Sequence, residues 1–202
     1  MNRKVIILFL AFILGLLMLS GCTRKAKDPN KAIDFLKNLK SYTCQVSIHI
    51  KNQKQEIDTD GNQFYDSKLG HRLELNKDRI LIYNNNTIKI KDLNNNLVYS
   101  VDKDFDSVYN LGFIHEYIAL LYADEDISSS FKTIENREYQ LIRLTIPGNN
   151  QNISKSVLYV NLENYFPEKL VIYDYKDNEV LSFNYNDFKP NIKIPKEMFY
   201  IE

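Results

Sequence analysis

Three histidines, His49, His71 and His115, are the first residues to weigh for acid–base or metal chemistry, because an imidazole titrates near neutral pH and is a common zinc ligand. They are widely spaced, and none pairs as H-x-x-x-H or with a cysteine at ligand spacing. The reading is of solvated or core-edge histidines, with His49 on the polar side of a strand. Asp102, Asp104 and Asp106 imitate the opening of a calcium loop, but Ser107 stands where that loop needs glycine and Phe113 where it needs a bidentate glutamate. A solvated loop ahead of a helix accounts for them better, with Asp106 or Ser107 as the N-cap. The sequence has no G-x-S-x-G, no glycine-rich phosphate loop and no activated-cysteine signature. Carboxylates are plentiful, and a hydrolytic pair need not be close in sequence, yet their expected use on this chain is solubility. The expectation is no catalytic residue, no metal-ligand set and no cofactor.

Cysteine offers a different chemistry. Arg3 and Lys4 precede an apolar run from Val5 to Leu19, which ends in Leu19-Ser20-Gly21-Cys22. A charged start, an apolar segment too short to span with the usual margins and small residues before a cysteine describe a secretory signal. Leu-Ser-Gly-Cys also resembles the bacterial lipobox, in which the peptide is cut just before the cysteine and the sulfur carries a diacylglycerol. On that reading residues 1–21 are a signal peptide cleaved between Gly21 and Cys22, and Cys22 is lipidated. A double acyl anchor then holds the exported protein on a membrane without a spanning helix. Residues 22–30, polar and carrying Pro29, form a tether, and residues 31–202 form one domain. Cys44 is left without a disulfide partner and reads as a small buried apolar side chain.

Basic and acidic side chains balance at 26 each in the 202 residues. Loss of Arg3 and Lys4 with the signal leaves a slight acidic excess, which gives no drive toward nucleic acid. Nucleic acid is not an expected partner.

The elements that would position these residues follow from periodicity. Ala32, Ile33, Phe35, Leu36 and Leu39 recur at helical spacing, predicting a helix from Lys31 to about Lys40. Tyr42, Cys44, Val46, Ile48 and Ile50 alternate with polar residues, predicting a half-buried strand. Asp60-Gly61-Asn62, between Gln55–Thr59 and Gln63–Ser67, reads as a hairpin turn. Short strands follow at Arg72–Leu75, Arg79–Tyr83, Thr87–Lys91 and Leu97–Val101, parted by the turns Asn84-Asn85-Asn86 and Asn94-Asn95-Asn96. A helix from about Ser107 to Ala123 carries Val108, Leu111, Ile114, Ile118, Leu121 and Tyr122 on one face. Asp124, Glu125 and Asp126 after it oppose the helix dipole, so packing must hold it. Strands resume at Phe131–Glu135, Glu138–Ile146, Ser156–Asn161, Leu170–Tyr175 and Val180–Phe188, with turns at Pro147-Gly148-Asn149-Asn150 and Asp177-Asn178. Alternation puts Tyr173 and Tyr175 on one face. The sum is one large curved antiparallel sheet whose hollow two helices fill.

The C-terminal block reads Val157-Leu158-Tyr159-Val160-Asn161, Tyr165-Phe166-Pro167-Glu168-Lys169-Leu170, Tyr173-Asp174-Tyr175, Phe183-Asn184-Tyr185-Asn186-Asp187-Phe188 and Ile194-Pro195-Lys196-Glu197-Met198-Phe199. A strand ending near a polar residue, a proline-led next strand and a terminal Ile-Pro-x-x-x-Phe resemble the LolA/LolB superfamily, and within it the GerS-like spore germination lipoproteins. The resemblance implies a mainly β fold with two helices, a half-barrel of antiparallel strands wrapped around helices. It also implies a partner rather than a reaction. GerS-like lipoproteins act with a CwlD-like N-acetylmuramoyl-L-alanine amidase, which starts muramic-δ-lactam formation in cortex peptidoglycan, on a bacterial cell or spore membrane. The alternative that the superfamily implies is carriage of a lipid or lipoprotein in the hollow. This chain departs from the carriers in being Tyr-rich through the middle strands and in lacking Trp.

Fourteen Tyr and eleven Phe are present. Tyr165, Phe166, Tyr173, Tyr175, Phe183, Tyr185, Phe188, Phe199 and Tyr200 are expected mainly to pack the sheet and pair across strands. An incomplete barrel leaves two free edges, which invite pairing with another chain. Partner binding, or a homodimer through edge-strand exchange, is the expected use.

Overall fold

The computed structural model describes residues 27–201 apart from 53, 85, 107 and 123–127. In chain order the elements are α1 (Asn30–Lys37), β1 (Ser41–Lys51), β2 (Glu56–Asp66), β3 (Gly70–Leu75), β4 (Arg79–Tyr83), β5 (Thr87–Asp92), β6 (Leu97–Asp102), α2 (Ile114–Leu120), β7 (Ser128–Ile134), β8 (Arg137–Thr145), β9 (Lys155–Asn161), β10 (Pro167–Tyr173) and β11 (Glu179–Pro190). Single 3-10 turns lie at Lys103–Phe105, Tyr109–Gly112 and Lys196–Phe199. The strands make one eleven-stranded sheet in the order β6-β5-β4-β3-β2-β1-β11-β10-β9-β8-β7. Every neighbouring pair is antiparallel. The mainly β fold with two helices is as the sequence predicts.

β1 sits at the centre because it is long and strictly alternating. Tyr42, Cys44, Val46 and Ile48 are buried on its helix-bearing face, while its backbone pairs along its full length with β2 and along most of it with β11. The sheet wraps around α2. Strands stand roughly 4.8 Å apart, so β2 and β8 would be about 24 Å apart if the sheet were flat. Side chains or carbonyls of β2, β1, β11, β9 and β8 nonetheless all bond to the stretch from Gly112 to Tyr117. That stretch rises only about 8 Å along a helix axis, which a curled sheet satisfies and a flat one does not.

Several expectations are corrected. Asp60-Gly61-Asn62 is no turn: β2 runs through it, with Gly61 opposite Val46 on one side and Leu75 on the other. A Cβ at Gly61 would lie 2.4 Å from the Glu74 carbonyl oxygen, so the missing side chain serves close strand approach rather than a reversal. The true reversal precedes it, where the Asn52 side-chain oxygen accepts from the backbone N–H groups of Lys54 and Gln55.

The single helix expected over Ser107–Ala123 is instead a 3-10 turn and then α2, parted at Phe113, whose backbone is extended at φ −81° and ψ 124°. Gly112 causes the break. Its carbonyl accepts from Gln63 Nε2 at 3.1 Å and Tyr185 Oη at 2.8 Å, so sheet side chains take an acceptor that a continuous helix would use itself. Asp106 does cap this segment, accepting from the backbone N–H groups of Val108, Tyr109 and Asn110. Ser107 and Asp124-Glu125-Asp126 lie outside the described residues.

Smaller differences have local causes. α1 ends at Lys37, short of Lys40, where the Asn38 side chain donates to the Asp34 carbonyl. β10 opens at Pro167, three residues earlier than expected, and closes at Tyr173, so Tyr175 lies beyond the strand and is exposed. The Ile-Pro-x-x-x-Phe motif closes the core: Ile194 and Phe199 are buried, and Arg72 Nη1 donates to the Met198 carbonyl at 2.6 Å.

Candidate functional site

The middle of the hollow is packed with the protein's own side chains, and a cavity of about 820 Å³, lined in part by Ile50, Val108, Ile153 and Leu181, remains beside it. Tyr42, Phe113, Tyr117 and Phe183 are among the largest fully buried residues. Tyr42 Oη accepts from the Ile114 N–H at 3.1 Å, and Tyr117 Oη donates to the Ile142 carbonyl at 3.0 Å. Burial pushes the hydroxyl pKa values of Tyr42, Tyr117 and Tyr185 upward, because the low-dielectric interior disfavours a phenolate. Cys44 is buried as expected, its thiol 3.8 Å from Gln63 Oε1, and burial also pushes that thiol up. It is a packed, neutral side chain rather than a nucleophile.

The widely spaced histidines behave in two ways. His49 lies on the polar side of β1 as expected, with Nδ1 2.8 Å from Asp58 and Nε2 3.2 Å from Glu56. His71 and His115 instead converge, their ring centroids 6.0 Å apart. β3 places His71 on the same face as Leu73 and Leu75, and all three are buried. α2 presents His115 and Glu116 in its first turn. Glu116 Oε1 is 3.8 Å from His71 Nδ1 and 2.9 Å from Lys103 Nζ. Burial foremost, then the charges of His115 and Lys103, pushes the His71 pKa down to about 3, so this imidazole is neutral at physiological pH. The signal available in the sequence was a histidine at an apolar-face position of β3. Beside these residues opens a cavity of about 660 Å³, lined in part by Tyr65, Lys68, Tyr83 and Thr87.

The two edges of the sheet differ. β7 is edged by Ser128, Ser129 and Ser130. β6, paired among the described strands with β5 alone, exposes Leu97 at 58%, Val98 at 41% and Tyr99 at 47%, and Phe105 just beyond it is 81% exposed. Free edges are ordinarily blunted by charge or proline, and this one carries apolar side chains instead. Of the aromatic residues singled out in the C-terminal block, Phe183, Tyr185, Phe188 and Phe199 are buried, whereas Tyr175 and Tyr200 are exposed and Tyr165, Phe166 and Tyr173 half-buried. No described helix is long and apolar enough to cross a membrane. Gly21 and Cys22, the expected cleavage and lipidation residues, lie outside the described residues.

The described residues thus form an antiparallel sheet wrapped around helices, with a packed interior and one apolar edge strand. The chain belongs to the family described as sporulation protein YdcC-like, whose profile matches residues 2–199. No curated protein matches the chain in sequence. Its fold is similar to that of an uncharacterised conserved protein from Thermus thermophilus, with a TM-score of 0.57 at 9% identity over 89% of this chain and 95% of that one. Weaker likenesses include a LolA superfamily protein from Nitrosomonas europaea, at TM-score 0.45 and 12% identity over 86% of this chain and 96% of that one. A chain in the structure of the CwlD amidase from Clostridioides difficile in complex with the GerS lipoprotein gives a TM-score of 0.44 and 19% identity, over 84% of this chain and 99% of that one.

Proposed function

We propose that the protein is a membrane-anchored, non-catalytic lipoprotein of sporulating cells, required for germination, which binds a CwlD-like cortex peptidoglycan amidase and enables muramic-δ-lactam formation. Membership of a sporulation family supports the setting. Cleavage between Gly21 and Cys22 and acylation of Cys22 supply the anchor, with residues 22–30 as tether and residues 31–202 as the exported domain. The observation that favours partner over cargo is the packed middle of the hollow, where the fully buried Tyr42, Phe113, Tyr117 and Phe183 leave no room for an acyl chain among them. β6 is the docking edge, since it pairs a free backbone ladder with exposed Leu97, Val98 and Tyr99. A second copy exchanging strands at the same edge is the competing use.

The test is co-purification of the detergent-solubilised protein with the amidase, and amidase activity on cortex peptidoglycan with and without it. A stable complex and activity that depends on it are expected. A fully active solitary amidase that forms no complex ends the reading, and acyl chains extracted stoichiometrically from the purified protein would establish the carrier instead.

A further inference from the structure

We propose that His71, His115 and Glu116 form a binding site for a divalent transition-metal ion of the zinc type. One potential ligand atom from each of the three lies within 4.8 Å of those of the other two. Two imidazoles and a carboxylate are a donor set that suits zinc and its neighbours, whereas calcium and magnesium prefer oxygen alone. Three protein ligands leave a coordination position for water or for a donor from outside.

A second observation is independent of that spacing. His71 is 6% exposed, and its Nε2 has no hydrogen-bond partner among the described residues. Buried polar atoms are nearly always satisfied. The other nitrogen of the same ring, Nδ1, lies 3.8 Å from Glu116 Oε1 and the residue lines the cavity, so a buried imidazole whose polar atoms the protein does not fully satisfy stands at the cluster.

The rings are also held. Tyr65 stacks on His71 and on His115, each at 4.9 Å between centroids, and the Phe113 ring lies tilted 4.5 Å from that of His71. Tyr65 faces His71 directly across the β2–β3 ladder, so strand register sets the buried ligand in place. Ligand atoms about 2.0–2.1 Å from a tetrahedral zinc stand roughly 3.4 Å from one another, so from separations of up to 4.8 Å the site must close by as much as about 1.4 Å. His115 and Glu116 can make that movement. His115 is exposed and Glu116 is partly so, and only the Lys103 ammonium, 2.9 Å from Glu116, must be displaced. The assignment does not depend on the amidase reading.

The experiment titrates zinc chloride into the untagged full chain in detergent micelles by calorimetry, and repeats it with cobalt chloride under visible absorption. One equivalent of each metal per chain is expected, with the cobalt spectrum of a four-coordinate nitrogen–oxygen site. His115→Ala and Glu116→Gln, both at accessible positions and checked for unchanged circular dichroism, should each weaken binding by at least about tenfold. His49→Ala should leave it unchanged, since His49 belongs to a separate surface group. Absence of stoichiometric uptake, or uptake that either His115→Ala or Glu116→Gln leaves intact, overturns the assignment.

Discussion

Gly112 rests against the ring of Phe183 so closely that a Cβ on the glycine would stand 2.3 Å from Phe183 Cε1. The contact joins the break ahead of α2 to β11 and leaves the Gly112 carbonyl free for Gln63 and Tyr185. Gly112→Ala should therefore cost about 1–3 kcal/mol, the range for overpacking a well-filled core. In a domain of this size that corresponds to a fall in melting temperature of roughly 2–12 °C. Phe183→Leu should recover part of the loss when combined with it, although alone it destabilises. A double-mutant cycle by thermal melting measures the coupling, and additive effects would refute the contact.

Asp106 gathers three backbone N–H groups and the hydroxyl of Tyr83, the last at 2.7 Å. Asp106→Ala leaves these donors unsatisfied in a partly buried setting, at a cost of about 1–3 kcal/mol. Asp106→Asn keeps one acceptor oxygen and should fall between the two. Urea denaturation ranks the three proteins.

Alkaline pH should unfold the protein through its buried tyrosines. Tyr42, Tyr83, Tyr117 and Tyr185 all have hydroxyl pKa values raised first by burial, and Tyr65 is raised to about 12 by the same cause. In the unfolded chain these hydroxyls ionise near pH 10. The folded protein holds the protons longer, so their contribution is fully present below about pH 10 and is lost as pH climbs through about 12. Tyrosinate absorbance and circular dichroism followed together should change in one transition. Free ionisation of all the tyrosines near pH 10 without unfolding would contradict it.

At the sheet edge, Val98→Lys should leave stability within about 0.5 kcal/mol, since the side chain is exposed. The same change should weaken amidase binding or self-association by introducing charge beside the open ladder. Light scattering and pull-down read the two effects separately, and unchanged binding would remove β6 from the interface.

Cys22→Ser should abolish incorporation of labelled palmitate into the protein, read by metabolic labelling and gel electrophoresis. Label retained by the Cys22→Ser protein, or absent from the unaltered one, would refute the acyl anchor.

Much of the architecture was legible because it is local. β4 runs from Arg79 to Tyr83 as expected, and the alternation of β1 gave its buried face residue by residue. What failed depended on partners remote in the chain. Asp60-Gly61-Asn62 has the composition of a turn, and only the Glu74 carbonyl on the adjoining strand explains why Gly61 is there. The expected continuous helix kept part of its apolar stripe, with Ile114, Ile118 and Leu121 buried, Val108 and Leu111 half-buried and Tyr122 exposed, but its interruption needs Phe183, Gln63 and Tyr185 to be in place. His71 and His115 share no motif because β3 and α2 bring them together only once the sheet has wrapped. The apolar edge was legible as a strand, whereas its position at the margin came only with the strand order.

The pairing of β1 with β11 gives the molecule a seam down its middle. Each half, β1 to β6 and β7 to β11, is a meander of neighbours that can zip up as it is made, but within the sheet the described strands of the two halves are joined through the strand that emerges last. A nonsense codon shortly before β11 would thus not trim a margin of the protein; it would cut the sheet in two and leave both new rims, β1 and β10, open to any chain nearby.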